Sequence, residues 1–117
     1  MGGLRAAELG YFDPELRDYA RIPVDEQVEV LSLVGDVAMS EGEAQLHVHA
    51  VLGRRDGSTV GGHLLSGKVW PTLEVIVSEV GPALAKRVDP ETGLALLAPE
   101  ADPMERESSP RREEATD

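Results

Sequence analysis

All three histidines of the chain, His47, His49 and His63, fall within seventeen consecutive residues. Residues 47 and 49 share one face of an extended strand, while Leu46, Val48 and Ala50 take the other. Between them and His63 lies Arg55-Asp56-Gly57-Ser58, a hairpin signal because Asp-Gly supplies the positive φ of a tight turn. A turn centred there pairs residues whose numbers sum to about 112, which sets His63 opposite His49 and gathers three imidazoles on one patch. Neutral imidazole ligates zinc, copper, iron and nickel. Three histidines with a vacant fourth position are the donor set of a zinc centre open to water or a substrate oxygen. Gly61-Gly62 removes side chains beside this patch. Glu29 and Glu74, on neighbouring extended stretches, are candidates for a fourth ligand or for an acceptor behind the ligands that fixes a His tautomer. The plainer alternative is a packed, hydrogen-bonded histidine face with Glu29 and Glu74 solvated or salt-bridged.

The elements that must position this patch are strands. Hydrophobicity alternates with period two between turn signals, as an antiparallel sheet requires. Strands are expected over Leu4–Phe12, near Tyr19, over Val28–Met39, Ala44–Leu52 and Thr59–Leu65, over a long Val69–Val80 stretch with Pro71 near its start, and over Gly93–Ala98. Asp13-Pro14 and Glu41-Gly42 turn the chain, and Gly35 is expected to mark a bulge or bend. Pro82–Arg87 reads as one helical turn. The expected fold class is therefore α+β, a predominantly antiparallel β-sheet with little helix. Residues 1–98 form the folded domain. Residues 99–117 carry three Pro, seven acids and three Arg, too little apolar surface to repay ordering, and are expected to be a disordered acidic tail.

Composition narrows the function classes. The chain has 117 residues, one domain's worth, with 11 Lys plus Arg against 22 Asp plus Glu and a net charge of −11. Nonspecific binding to DNA or an anionic bilayer would work against that charge. The absence of Cys leaves any metal to His, Asp and Glu. Four aromatic residues (Trp70, Tyr11, Tyr19, Phe12) offer little stacking surface for bases. No run approaches the ~18 apolar residues of a membrane span, and residues 1–10 lack a signal-peptide pattern, so a soluble, cytoplasmic protein is expected. Ser58, Ser66 and Ser78 lie in no nucleophile turn. Gly61-Gly62 is no phosphate loop, and Arg54-Arg55 reads as an exposed hairpin tip.

The ordered set Leu46-His47-Val48-His49-Ala50-Val51-Leu52-Gly53, Asp56-Gly57, Gly61-Gly62-His63-Leu64-Leu65, Val69 and Thr72-Leu73-Glu74-Val75 resembles the plants and prokaryotes conserved (PPC) domain. Leu9-Gly10-Tyr11-Phe12-Asp13, Val28 to Asp36 and Asp89-Pro90-Glu91-Thr92-Gly93-Leu94 resemble the same family, which extends the likeness over about residues 2–97. The resemblance implies an antiparallel sheet domain that assembles as a homotrimer, and it maps the family's HxH and GGH histidines onto His47, His49 and His63. In plants the domain accompanies AT-hook motifs in nuclear proteins. Prokaryotic relatives usually stand alone and are labelled DNA-binding by association. Two departures stand out. Relatives normally begin with an extra strand and helix before the stretch equivalent to Gly2-Gly3-Leu4, so the chain is expected to be N-terminally truncated. No Arg-Gly-Arg-Pro hook is present.

The reading that joins these observations is a trimer-forming, non-enzymatic PPC-like domain that binds zinc, another divalent metal or a small ligand through His47, His49 and His63. Two alternatives come from other classes. One is a metal-dependent enzyme that uses the centre as a Lewis acid on a small oxygen-bearing substrate, which needs Glu29 or Glu74 within reach as a base. The other is a DNA-binding, transcription-associated protein by family analogy. A sheet rich in Leu4, Leu9, Val28, Val30, Val34, Leu46, Val48, Leu64, Val75 and Val77 carries more apolar surface than so short a chain covers alone, so association is expected.

Overall fold

The computed structural model describes residues 1–80 and 85–98. Seven strands follow one another: β1 Gly2–Asp13, β2 Asp18–Val24, β3 Val28–Ser40, β4 Glu43–Gly53, β5 Thr59–Leu73, β6 Ala85–Val88 and β7 Ala95–Ala98. They form one sheet in the order β2-β1-β5-β4-β3-β6-β7, with a further β1–β3 pairing. All pairings are antiparallel except a single parallel bridge, Met39 to Ala85, between β3 and β6. Because Gly2–Leu4 of β1 also pair with Val28–Val30 of β3, the β1-β5-β4-β3 ribbon closes on itself at one end.

The core fills the inside of that closure. Leu4, Ala7, Leu9, Val24, Val28, Val30, Ala50 and Leu52 are buried together, with Ile22, Leu33, Val60, Leu64 and Leu73 packed against them. The alternation of β4 decides which side is which. Val48, Ala50 and Leu52 point inward and are buried, and His47 and His49 therefore stand on the outer face. Much apolar surface stays uncovered: Val34, Leu46, Val75 and Val77 of the sheet positions named above are 70%, 68%, 58% and 78% exposed, and Ile76 is 96% exposed.

The sheet corrects four expectations. No helix occurs among the described residues, so the α of the α+β class has no counterpart there. The helical turn over Pro82–Arg87 fails where it is described: residues 82–84 lie outside the described part, but Ala85–Val88 is strand β6, hydrogen-bonded to β7 in a hairpin. The two expected strands Thr59–Leu65 and Val69–Val80 are one strand that stops at Leu73, with no regular structure over residues 74–80. Pro71 lies where Gly2 and Leu4 pair with Leu73 and Val69, a local excess of residues on β5 that tolerates a missing N–H. Finally, the bulge of β3 falls between Val30 and Ser32, not at Gly35. Gly35 serves close approach instead, since a Cβ there would lie 2.0 Å from the His47 carbonyl oxygen. The acidic stretch 99–117 lies outside the described residues.

Candidate metal centre

Two hairpins set the register of the site. The Glu41-Gly42 turn has positive φ at both residues, 51° and 80°, the geometry whose twist matches paired strands, and it fixes Asp36 opposite His47 and Val34 opposite His49. In the β4–β5 turn, Gly57 adopts φ 85°, its N–H donates to the Arg54 carbonyl at 2.9 Å, and Asp56 Oδ1 accepts from the Ser58 N–H and hydroxyl at 2.9 and 2.6 Å. The resulting ladder pairs His49 with His63, as the turn predicts. On its other side His63 pairs with Gly10 of β1.

The three imidazoles converge. Ring centroids are 5.0 Å apart for His47 and His49, 4.9 Å for His47 and His63, and 5.9 Å for His49 and His63. One nitrogen from each ring lies within 4.8 Å of the other two. Nitrogens on a tetrahedral zinc stand about 3.4 Å apart, so small ring rotations suffice for the three to share an ion. His47 and His63 are half-buried and His49 is exposed. His63 Nδ1 is buried and without a hydrogen-bond partner among the described residues. A buried, unpaired ring nitrogen costs stability unless something else satisfies it. A divalent cation held by that nitrogen would do so, and the three-histidine donor set fits one.

Electrostatics keeps the site ready for a cation. Burial lowers the pKa of His47, the Lys86 ammonium and His49 lower it further, and Asp36 opposes them. Burial lowers that of His63 too, followed by the charges of His47, His49 and Lys86. Both rings are thus held in the neutral form that coordinates metal. Tyr19 covers His63, their ring centroids 4.5 Å apart and their planes tilted by 33°, and desolvation raises the pKa of its phenol.

Glu29 and Glu74 are not members of the three-histidine group. Glu29 pairs with Gly3 and Gly53, five residues along β3 from Val34, or about 16 Å. Glu74 follows the end of β5, where its backbone N–H donates to Met1 O at 2.7 Å and its carbonyl accepts from the Met1 ammonium at 2.8 Å. The carboxylate that does lie beside the histidines is Asp36, paired in register with His47. Lys86 Nζ stands 3.0 Å from Asp36 Oδ1. Sequence reasoning missed both. The two-residue turn at Glu41-Gly42 pairs positions that sum to 83, which leads from His47 to Asp36. Lys86 arrives through the β3–β6 bridge, which no local signal announces.

Comparison with known proteins agrees with this geometry. The family model of the Plants and Prokaryotes Conserved (PCC) domain matches residues 1–81. A solved metal-containing protein from Archaeoglobus fulgidus is 34% identical with a TM-score of 0.68, covering 84% of this chain and 69% of its own. A plant- and prokaryote-conserved protein from Pyrococcus horikoshii is 31% identical with a TM-score of 0.71, covering 86% and 69%. A Bacteroides thetaiotaomicron protein provisionally named DNA-binding is 28% identical with a TM-score of 0.72, covering 83% and 67%. No curated protein matches the chain. With more than half its length matched by the family model and the ordered histidine motifs in place, the chain belongs to the plants and prokaryotes conserved domain family.

Proposed function

We propose that the chain is a metal-binding, trimer-forming domain without chemistry of its own, in which His47, His49 and His63 hold one divalent ion of the zinc type. The observation that carries this reading is the buried His63 Nδ1, unpaired beside two further imidazoles. The metal-containing Archaeoglobus relative supports it. Bound there, the ion would supply positive charge and an open coordination position. The enzyme alternative needs a free base at the centre. Glu29 and Glu74 are remote from the group, and Asp36 is engaged by Lys86. DNA binding has only the naming of relatives behind it, against a net charge of −11.

Assembly into a trimer accounts for exposed apolar side chains on both faces of the sheet, Val34 beside His49 on one and Val37 with Leu46 on the other. Apolar surface of that kind is a contact surface in a stable protein. Calorimetric titration of zinc into metal-free protein tests the site. One ion per chain is expected, lost on His49→Ala while cooperative unfolding persists. Uptake that survives the substitution would overturn the assignment.

A further inference from the structure

Lys86 is the least expected side chain in the protein. Its side chain is 3% exposed, and it lies beyond the residues that the family model matches. Burying an ammonium is costly before any partner is counted, and surface placement would have avoided that cost. Its one ionic partner among the described residues is Asp36, 3.0 Å away. That contact lacks the alignment of a hydrogen bond, since Asp36 Oδ1 is buried with no hydrogen-bond partner. Asp36 in turn faces His47 across the β3–β4 ladder, and such partners have Cβ atoms about 4.5–5.5 Å apart.

A carboxylate at that position is a competent fourth ligand. Three histidines and an aspartate would close a tetrahedral centre, as structural zinc sites are closed, whereas centres that bind ligands keep one position open. Which of the two this protein has depends on whether Asp36 is free to turn toward the ring nitrogens. Resting on the metal reading above, we propose that Lys86 is a positioning residue: its ion pair holds Asp36 away from the three-histidine centre and so keeps the fourth position open to a small exogenous anion. The charges agree. A divalent ion on three neutral rings, with Asp36 neutralised by Lys86, leaves a net positive centre that attracts an anion.

Cobalt(II) reports coordination directly through its visible absorption, and azide serves as the anion probe. The wild-type cobalt protein is expected to bind azide with a spectral change. Lys86→Gln frees Asp36 to occupy the position and weakens azide binding about tenfold or more, and Lys86→Arg, which keeps the ion pair, stays near wild type. The double substitution Asp36→Asn with Lys86→Gln removes the competing carboxylate and restores azide binding. Lys86→Met, apolar and of similar length, replaces Lys86→Gln should the latter fail to fold. Equal azide affinity in wild type and the charge-removing variants would overturn the positioning role, as would a wild-type cobalt spectrum insensitive to azide. Failure of the wild type to take up one cobalt per chain would instead overturn the metal reading on which the role rests.

Discussion

Tyr19 lies over His63 with ring centroids 4.5 Å apart, and it does so because Gly10 has no side chain. A Cβ at Gly10 would lie 2.9 Å from Tyr19 Cδ1, and Gly10 is also the β1 residue paired with His63. One glycine thus lets the aromatic cover reach the candidate ligand. Gly10→Ala is expected to displace Tyr19 and to cost about 0.5–1.5 kcal/mol, the worth of an aromatic pair. Urea unfolding of Gly10→Ala, Tyr19→Ala and the double variant checks this: the two single losses should not add. Additive losses would show that the two residues act independently.

Gly35 is a harsher case. The obstacle to a Cβ there is backbone, the His47 carbonyl oxygen at 2.0 Å and Val48 Cα at 2.7 Å. Gly35→Ala therefore pushes apart the two strands that hold His47. A loss of about 1–3 kcal/mol is expected, read as a lower urea midpoint, together with weaker zinc binding. Wild-type stability in this variant would contradict the close approach.

The lowered pKa values of His47 and His63 fix the sign of the pH dependence. In the metal-free protein these rings stay neutral to a lower pH than in the unfolded chain, where His titrates near about 6.5. Between the folded and unfolded values the unfolded state binds more protons, so stability rises with pH through that window and levels off above about 6.5. Their contribution is a loss that appears as pH falls. Zinc binding should weaken over the same window, because protons compete for the ring nitrogens. Thermal unfolding and zinc titration between pH 5 and 8, spanning the ordinary His range, check both. Stability that rises as pH drops below about 6.5 would contradict the assignment for His47 and His63.

What the sequence made legible was what local turn chemistry controls. Asp56-Gly57 fixed the β4–β5 register closely enough to place His63 opposite His49, and alternation put His47 and His49 on one face with Val48 and Ala50 in the core. The family likeness rested on the same motifs. What stayed hidden depends on long-range pairing. Lys86 reaches Asp36 only because β6 adds to β3, and a four-residue segment with an apolar flank is as compatible with a helical turn as with a strand. Two separate strands over Thr59–Leu65 and Val69–Val80 would bring Glu74 close to the site. As one strand ending at Leu73, β5 carries Glu74 to the far end, beside Met1.

Assembly gives a further expectation. Val37 and Leu46 face each other in the β3–β4 ladder and are 59% and 68% exposed. Light scattering of the wild type should show a trimer of about 38 kDa, three chains of 12.6 kDa. Val37→Glu with Leu46→Glu, which buries charge in the proposed contact, should shift that mass toward the single chain. A stable, cooperatively folding 12.6 kDa species in the wild type would contradict the trimer.

The most direct test of the three-histidine centre is elemental analysis of untagged protein after exhaustive dialysis, alongside His47→Ala, His49→Ala and His63→Ala prepared identically. Close to one divalent ion per chain is expected in the wild type and close to none in each variant. A metal-free wild type that takes up no zinc, cobalt or nickel on addition, or equal metal content in wild type and variants, would contradict it.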